Sequence, residues 1–223
     1  MTIKALFFDF DGTLWDSERV ALESWQREFA LFGQELSLEE FAPLIGTVGG
    51  PDLVEVLQQK TGRVIDRTLV EERRMARKLA ALDDLPARAG VLDYMREGRE
   101  RGLVLAVVST DDLPWITGGL RRLGLETAWD FIESADGDLS RAKPSPALYL
   151  SALERAGVDA QEAVALEDSP NGIEAATSAG IFCCGVPNSV TTHLDCGKAD
   201  LLVESLADLP LQELIARAEV SSA

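Results

Sequence analysis

Six short apolar runs, each bounded by turn-forming residues and separated by amphipathic stretches, restrict the fold of this chain more than any other feature. ALFFDF lies near the start, LVLAVVS covers 103–109, AVALED 163–168 and IFCCGV 181–186, with weaker runs DFIES at 130–134 and one near Leu201 to Val203. Runs of this length between turn signals read as buried strands. The segments between them, such as SPALYLSALERA at 145–156 and PNGIEAATSA at 170–179, are amphipathic and end at Gly157 and Gly180, as helices do. Such alternation predicts an α/β fold around a parallel sheet. Residues 15 to about 85 break the pattern: VALESWQREFALFG, LEEFAPLIG, PDLVEVLQQKTG and the stretch 66–82 predict helices with no convincing strand. The expected organisation is an α/β core of residues 1–14 and 86–223 interrupted by a small helical unit of residues 15–85, with Pro86 and Gly90 in the return segment.

Charge and cysteine content narrow the partners. In 223 residues, 38 acids against 21 bases leave a net charge of −17, which repels nucleic acid and anionic membranes at long range. Any phosphate must then be held locally. The three cysteines form no disulfide framework, and the adjacent Cys183 and Cys184 would face opposite sides of a strand. The first ten residues are too short an apolar run for a membrane span and reach acids where a leader would need a cleavage site. The expectation is a cytoplasmic protein.

Chemistry-bearing residues collect at the predicted strand ends. Asp9 and Asp11 follow the first strand, and side chains two apart on a strand share a face. Two carboxylates on one face repel unless a divalent cation or a shared proton rewards them; alternatively they form an acidic turn that caps a helix. Gly12 allows close approach of a backbone N–H to an anion, and Thr13 adds a supporting hydroxyl. Ser109 and Thr110 end the second strand as candidate ligands of phosphoryl oxygens, or as helix caps. Lys143, stiffened by the prolines of KPSP, supplies a cation, or is merely solvated. Glu167, Asp168 and Ser169 end the strand AVALE, where the last two could instead cap the following helix. Together these residues make a phosphoryl-transfer kit: nucleophile, acid/base, hydroxyl, cation and metal carboxylates.

With these four motifs the chain resembles the haloacid-dehalogenase-like superfamily, in the branch with a helical cap inserted after the first motif that includes β-phosphoglucomutases and small sugar-phosphate phosphatases. The motifs are DFDGTLWDS at 9–17, Ser109 in VVST, Lys143 in KPSP and EDSPNGIEAA at 167–176. The resemblance spans nearly all of residues 3–205. It implies a Rossmann-like core, with Asp9 as the nucleophile that forms an aspartyl-phosphate and Asp11 as general acid and then base. It implies Mg²⁺ held by the Asp9 and Asp168 carboxylates and the Asp11 carbonyl, with Glu167 nearby or linked through water. Ser109 and Lys143 would hold phosphoryl oxygens, helped by backbone N–H groups around Phe10, Gly12 and Thr110. Mg²⁺ and Lys143 would then set three positive charges against the phosphoryl oxygens.

The residues also separate branches. An acid at position 11 disfavours dehalogenase chemistry, which has no leaving oxygen to protonate, and phosphonatase chemistry, which uses a cap lysine. What remains is a phosphatase of a sugar or polyol phosphate, a phosphosugar mutase, or a non-catalytic phosphate-binding protein that would give Asp9 and Asp11 no purpose beside Lys143. A mutase needs a second phosphate site. The cap turn LIGTVGG at 44–50 has no base and STDDLPW has two acids, which oppose it, while Arg73, Arg74, Arg77 and Lys78 are its candidate ligands unless they are an ion-paired surface. His193 reads as a surface residue, Trp25 as core, and Trp15 and Trp115 as candidates for the cleft. A small phosphorylated molecule is the expected partner, and a monomer the expected state.

Overall fold

The computed structural model describes residues 2–46 and 50–221. A six-stranded sheet is built from β1 (Ala5–Phe8), β2 (Val104–Ser109), β3 (Phe131–Ser134), β4 (Ala163–Glu167), β5 (Phe182–Gly185) and β6 (Leu201–Leu202). All neighbours pair in parallel, in the order β3-β2-β1-β4-β5-β6. All six predicted strands are present, in a Rossmann-like α/β core. Chain order reverses direction across the sheet at β1, so the cleft beyond its carboxyl end is where such sheets bind ligands.

Side-chain alternation explains why the strands are apolar throughout. Leu6 and Phe8, with Leu105, Val107, Val164, Leu166 and Cys184, enter one buried cluster; Ala5, Phe7, Ala106, Val108, Ala165 and Cys183 enter the other. The adjacent cysteines thus face opposite sides, as expected. Between the strands and their flanks run α1 (Ser17–Leu31), α2 (Leu38–Phe41), α3 (Leu53–Thr61), α4 (Arg67–Leu82), α5 (Val91–Glu100), α6 (Leu113–Arg122), α7 (Ala147–Ala156), α8 (Pro170–Ser178) and α9 (Leu211–Ser221). Tyr94 of α5, Ile116 of α6 and Leu214 of α9 cover the first face, and Leu148 of α7 and Ile173 of α8 the second. Among the described residues no helix is long and apolar enough to cross a membrane.

The cap is the four-helix insertion α1 to α4. It has a cluster of its own around Leu22, Trp25, Phe29, Leu57 and Val70, joined by Val190 from the core. Three of its helices start where side chains accept otherwise unpaired N–H groups: Ser37 and Glu40 form a reciprocal capping pair at α2, Asp52 caps α3 and Asp66 caps α4. Glu28 of α1 is fully buried and takes Arg73 Nη2 at 2.7 Å and Arg77, so these two arginines of the basic run clamp α1 to α4. Arg74 lies 4.8 Å from the Trp25 ring and pairs with Glu71. The three arginines therefore have intramolecular partners, whereas Lys78 turns toward the core.

Trp15 also corrects the expectation of a cleft residue. It is 1% exposed, packs on Phe10 and donates its indole N–H to Leu85 O at 2.9 Å, which joins the two chain segments that cross between core and cap. Trp25 is core, as expected, and His193 is exposed. Gly119 of α6 lets that helix settle on the same aromatic pair, because a Cβ there would lie 2.5 Å from Phe10 and 2.8 Å from Trp15. Gly119→Ala is expected to destabilise the fold by about 1–3 kcal/mol through overpacking, read from denaturant unfolding, even though alanine favours helices.

Candidate active site

The strand ends stop just short of the acids. β1 closes at Phe8, and Asp9 and Asp11 lie beyond it in a turn in which Leu14 and Trp15 both donate their N–H groups to Phe10 O at 3.1 Å. Shared strand geometry therefore does not account for their common face; the turn does. Asp9, Asp11, Ser17, Glu18, Lys78, Ser109, Thr110, Asp111, Trp115, Lys143 and Ser169 line one cavity of about 160 Å³, with Phe41, Leu44 and Ile45 of the cap as its apolar wall. Core and cap both contribute, and the chemistry sits between them.

Lys143 is the centre of charge. It comes from the long loop between β3 and α7 and not directly from a strand end, and it is 2% exposed. Its Nζ lies 2.5 Å from Asp9 Oδ1 and 2.7 Å from Glu167 Oε1, and donates to Val108 O at 2.8 Å. Burial alone would push this ammonium down; Asp9 and Glu167 outweigh that and hold it above its ordinary range. Thr110 Oγ1 accepts the Lys143 backbone N–H at 3.1 Å and so anchors the lysine loop, while Thr110 itself lines the cavity. Ser109 Oγ is 3.1 Å from Asp111 Oδ2 and accepts the Asp111 N–H.

The acids that could hold a metal are Asp9, Glu167 and Asp168, all buried, with one oxygen of each within 4.8 Å of the others. Burial raises Asp9, against the pull of Lys143; burial and then Glu167 raise Asp168 to about 7. These shifts record carboxylates held where solvent cannot stabilise their charge. Glu167 receives the Tyr149 hydroxyl at 2.6 Å on Oε1, while its Oε2 is buried without a hydrogen-bond partner and fits only because position 172 is glycine. An all-oxygen donor set containing such an orphaned atom suits a hard divalent cation.

Gly12 answers a different demand from the one expected. Its N–H is donated to Trp15 O at 2.7 Å and so is not free for an anion; the residue has φ +86°, and a Cβ there would lie 2.3 Å from Asp168 Oδ2. The Thr13 hydroxyl, expected to support the neighbouring Asp9 and Asp11, is directed at Asp168, with Oγ1 3.4 Å from Oδ1. Asn188 and Arg88 carried no recognised signal. Asn188 Nδ2 donates to Asp168 Oδ2 at 2.7 Å, and Arg88 donates to the carbonyls of Gly12, Val186 and Pro187, tying the turn to the end of β5. The PNSVTT turn, like a lone Asn in any loop, gives no sequence signal for this contact.

Asp11 has separate surroundings. Ser17 donates its hydroxyl to Oδ1, and Trp115 its indole N–H to Oδ2 at 2.6 Å. Burial, then the neighbouring Asp111 carboxylate, pushes Asp11 well above the usual carboxylate range. Lys78 Nζ stands 3.9 Å over the Trp115 ring, and its burial lowers it. Of the two acids expected to oppose a second phosphate, Asp111 lines the cavity, while Asp112 is exposed and caps α6 through the Trp115 N–H at 2.9 Å. Thr47, Val48 and Gly49 of the cap turn lie outside the described residues.

Residues 3–180 match the haloacid dehalogenase-like hydrolases. The chain belongs to that family. It is 36% identical over 213 residues to YhcW of Bacillus subtilis, covering 96% of each protein, and 30% identical over 217 residues to the phosphorylated carbohydrates phosphatase of Thermotoga maritima, covering 96% and 97%. Its fold superposes with a TM-score of 0.74, at 30% identity and over 93% and 96% of the two chains, on a variant of CbbY from Rhodobacter sphaeroides in complex with xylulose-1,5-bisphosphate. The protein is a phosphatase of this hydrolase family.

Asp168→Asn removes a charge from a cluster of like charges and keeps an oxygen for Asn188. The metal-free variant is expected to melt at or above the temperature of the parent protein, and saturating Mg²⁺, which at a hundredfold excess over Kd adds about 2.7 kcal/mol to the parent, is expected to add little to the variant. A large drop in metal-free stability with Mg²⁺ stabilisation intact would mean that Asp168 serves the fold alone.

Proposed function

We propose that the protein hydrolyses a small phosphate monoester of the sugar or polyol class, by way of an aspartyl-phosphate on Asp9. The observation that carries this reading is the joint lining of one cavity by Asp9, Asp11, Ser109 and Lys143. One carboxylate can attack, a second can move a proton, and a hydroxyl and an ammonium can bind phosphoryl oxygens. The phosphorylated carbohydrates on which the Thermotoga maritima relative is named to act support the substrate class. The cap side adds apolar wall and few charges, as a small, mostly neutral leaving group requires.

Mg²⁺ would be held by the carboxylates of Asp9 and Asp168 and the carbonyl of Asp11, with Glu167 close by. Its contribution is positive charge against the phosphoryl oxygens. The Asp9 carboxylate attacks phosphorus as the P–O bond to the alcohol breaks, and the proton on Asp11 passes to the leaving oxygen. Asp11, now a carboxylate, takes a proton from the water that releases phosphate from Asp9. Ser109 and Lys143 hold the phosphoryl oxygens throughout, aided by backbone N–H groups near Phe10 and Thr110. Leu44, Ile45 and Gly46 of the cap, the last so near the core that a Cβ on it would lie 2.5 Å from Ser169 Oγ, keep bulk water out during attack. The three buried free cysteines suit a reducing cytoplasm, and a site complete within one chain suits a monomer.

A mutase is the second reading, favoured by Lys78 as a cap cation that lines the cavity. Against it, Lys78 already faces Asp11 and Asp111, so a second phosphate would have to compete with these acids of the core for it. Each close contact between a phosphate charge and an unpaired carboxylate costs about 1 kcal/mol even in high dielectric.

An aryl phosphate is expected to be hydrolysed with Mg²⁺ and not in excess chelator; full activity in chelator would remove the metal from the reading. Asp9→Asn is expected to abolish turnover, and Asp11→Asn to slow it by about 10²- to 10⁴-fold. Hydrolysis of a substrate chiral at phosphorus is expected to proceed with overall retention, the outcome of two in-line displacements; inversion would replace the covalent route with direct attack by water. A sugar 1-phosphate supplied with a catalytic amount of sugar bisphosphate is expected to yield inorganic phosphate with little 6-phosphate isomer. Rapid isomer formation with negligible phosphate release would instead establish the mutase and point to Lys78 as the ligand of the second phosphate.

A further inference from the structure

Trp115 lines the cavity, yet the reaction above gives it no part. It stands in the first turn of α6, and Gly119, four residues on, shares its helix face and brings that face down on Phe10 and Trp15. The indole thereby reaches the turn after β1, where its N–H donates to Asp11 Oδ2 at 2.6 Å. An indole N–H can donate and never accept, so it can serve this carboxyl in one way only. The ring is engaged as well: Trp15 lies 6.2 Å away between centroids, and Lys78 Nζ of the cap is 3.9 Å from the Trp115 centroid. One side chain thus touches the acid of the core and the cation of the cap.

We propose that Trp115 is a positioning residue for proton transfer: its N–H fixes the Asp11 carboxyl in the orientation that delivers a proton to the leaving oxygen, and its ring seats Lys78 and with it α4 over the cavity. The inference rests on the reading of Asp11 as general acid. The terminal torsion of an aspartate is soft, so a carboxyl held by Ser17 alone can swing, whereas donors on both oxygens fix its plane. In the step itself the Asp9–phosphorus bond forms, the bond from phosphorus to the alcohol breaks, the Asp11 proton goes to the alcohol, and the indole keeps its own proton. Trp115 acts only through Asp11.

The test separates this role from packing. Trp115→Phe keeps an aromatic face for Lys78 and loses the N–H; replacement of Trp115 by benzothienylalanine, which puts sulfur where the N–H was, keeps the shape as well. kcat/KM reports events up to the departure of the alcohol, so it is measured for alkyl phosphates, which need protonation, and for a nitrophenyl phosphate, which needs little. Both replacements are expected to lower kcat/KM by about 10- to 100-fold on alkyl phosphates, the scale of a hydrogen bond to a charged group, and by less than about threefold on the nitrophenyl ester. Equal losses on both substrates, or no loss on either, would overturn the proposal. Asp11→Asn, assayed beside them, distinguishes the levels. If it shows the same leaving-group selectivity and the Trp115 replacements do not, this inference alone fails; if it shows none, the acid assignment of Asp11 fails first.

Discussion

A single buried ammonium holds the site together. Lys143 stands between Asp9 and Glu167, with Asp168 alongside, and removing that cation would leave three carboxylates facing one another in a nearly solvent-free space. Losing one partner from a buried ionic cluster costs far more than the cluster contributes when whole, because uncompensated charge remains behind. The surroundings are arranged accordingly. Tyr149 donates to Glu167, Asn188 and Thr13 to Asp168, and Thr110 anchors the loop that carries the lysine. Two glycines serve the same cluster sterically, Gly12 beside Asp168 and Gly172 beside Glu167, where any side chain would displace a carboxylate. Even so, three carboxyl groups share one ammonium, and burial raises two of them, Asp9 and Asp168, above the usual range.

The cap depends on a second buried ionic group that works in the reverse sense. Glu28 is a buried anion bracketed by Arg73 and Arg77, so one acid recruits two cations and ties α1 to α4. Because α1 begins directly after the turn that bears Asp11, and α4 carries Lys78 one turn beyond Arg74, fixing these two helices also fixes what the cap presents to the cavity. Cap architecture and site electrostatics are thus set by one helix pair.

The sequence made the strands, the cap insertion and the reactive acids legible because each rests on a local rule: apolar runs, helical spacing, and acids or hydroxyls at strand ends. Asp9, Asp11, Ser109, Lys143, Glu167 and Asp168 all reach the expected region. What escaped depends on tertiary contact. Arg88 and Asn188 lie in loops with no periodicity, and their partners are carbonyls and an acid far away in sequence. Lys78 was hidden among three arginines whose partners, Glu28 and Glu71, could not be told apart from solvent by charge pattern alone. A glycine turn looks the same in sequence whether its N–H faces an anion or a neighbouring carbonyl, and the Gly12 N–H is donated to Trp15 O.

Two aspartates two residues apart have different nearest partners, although both stand well above the usual carboxylate range. Lys143 beside Asp9 favours its ionised form, offset in part by Glu167 and Asp168, whereas Asp111 beside Asp11 favours its protonated form, offset in part by Lys78 and Trp115. Burial raises both, so the difference between them comes from their neighbours and not from depth. Those neighbours arrive from different elements, Lys143 from the loop before α7 and Asp111 from the turn before α6. The sheet order sets β2 directly beside β1, with β3 and its loop one strand further, and so brings both neighbours to the same edge. The different partners of the two acids in DFDGT are therefore a property of the sheet topology, and transplanting the motif without its flanking strands would transfer the acids without those partners.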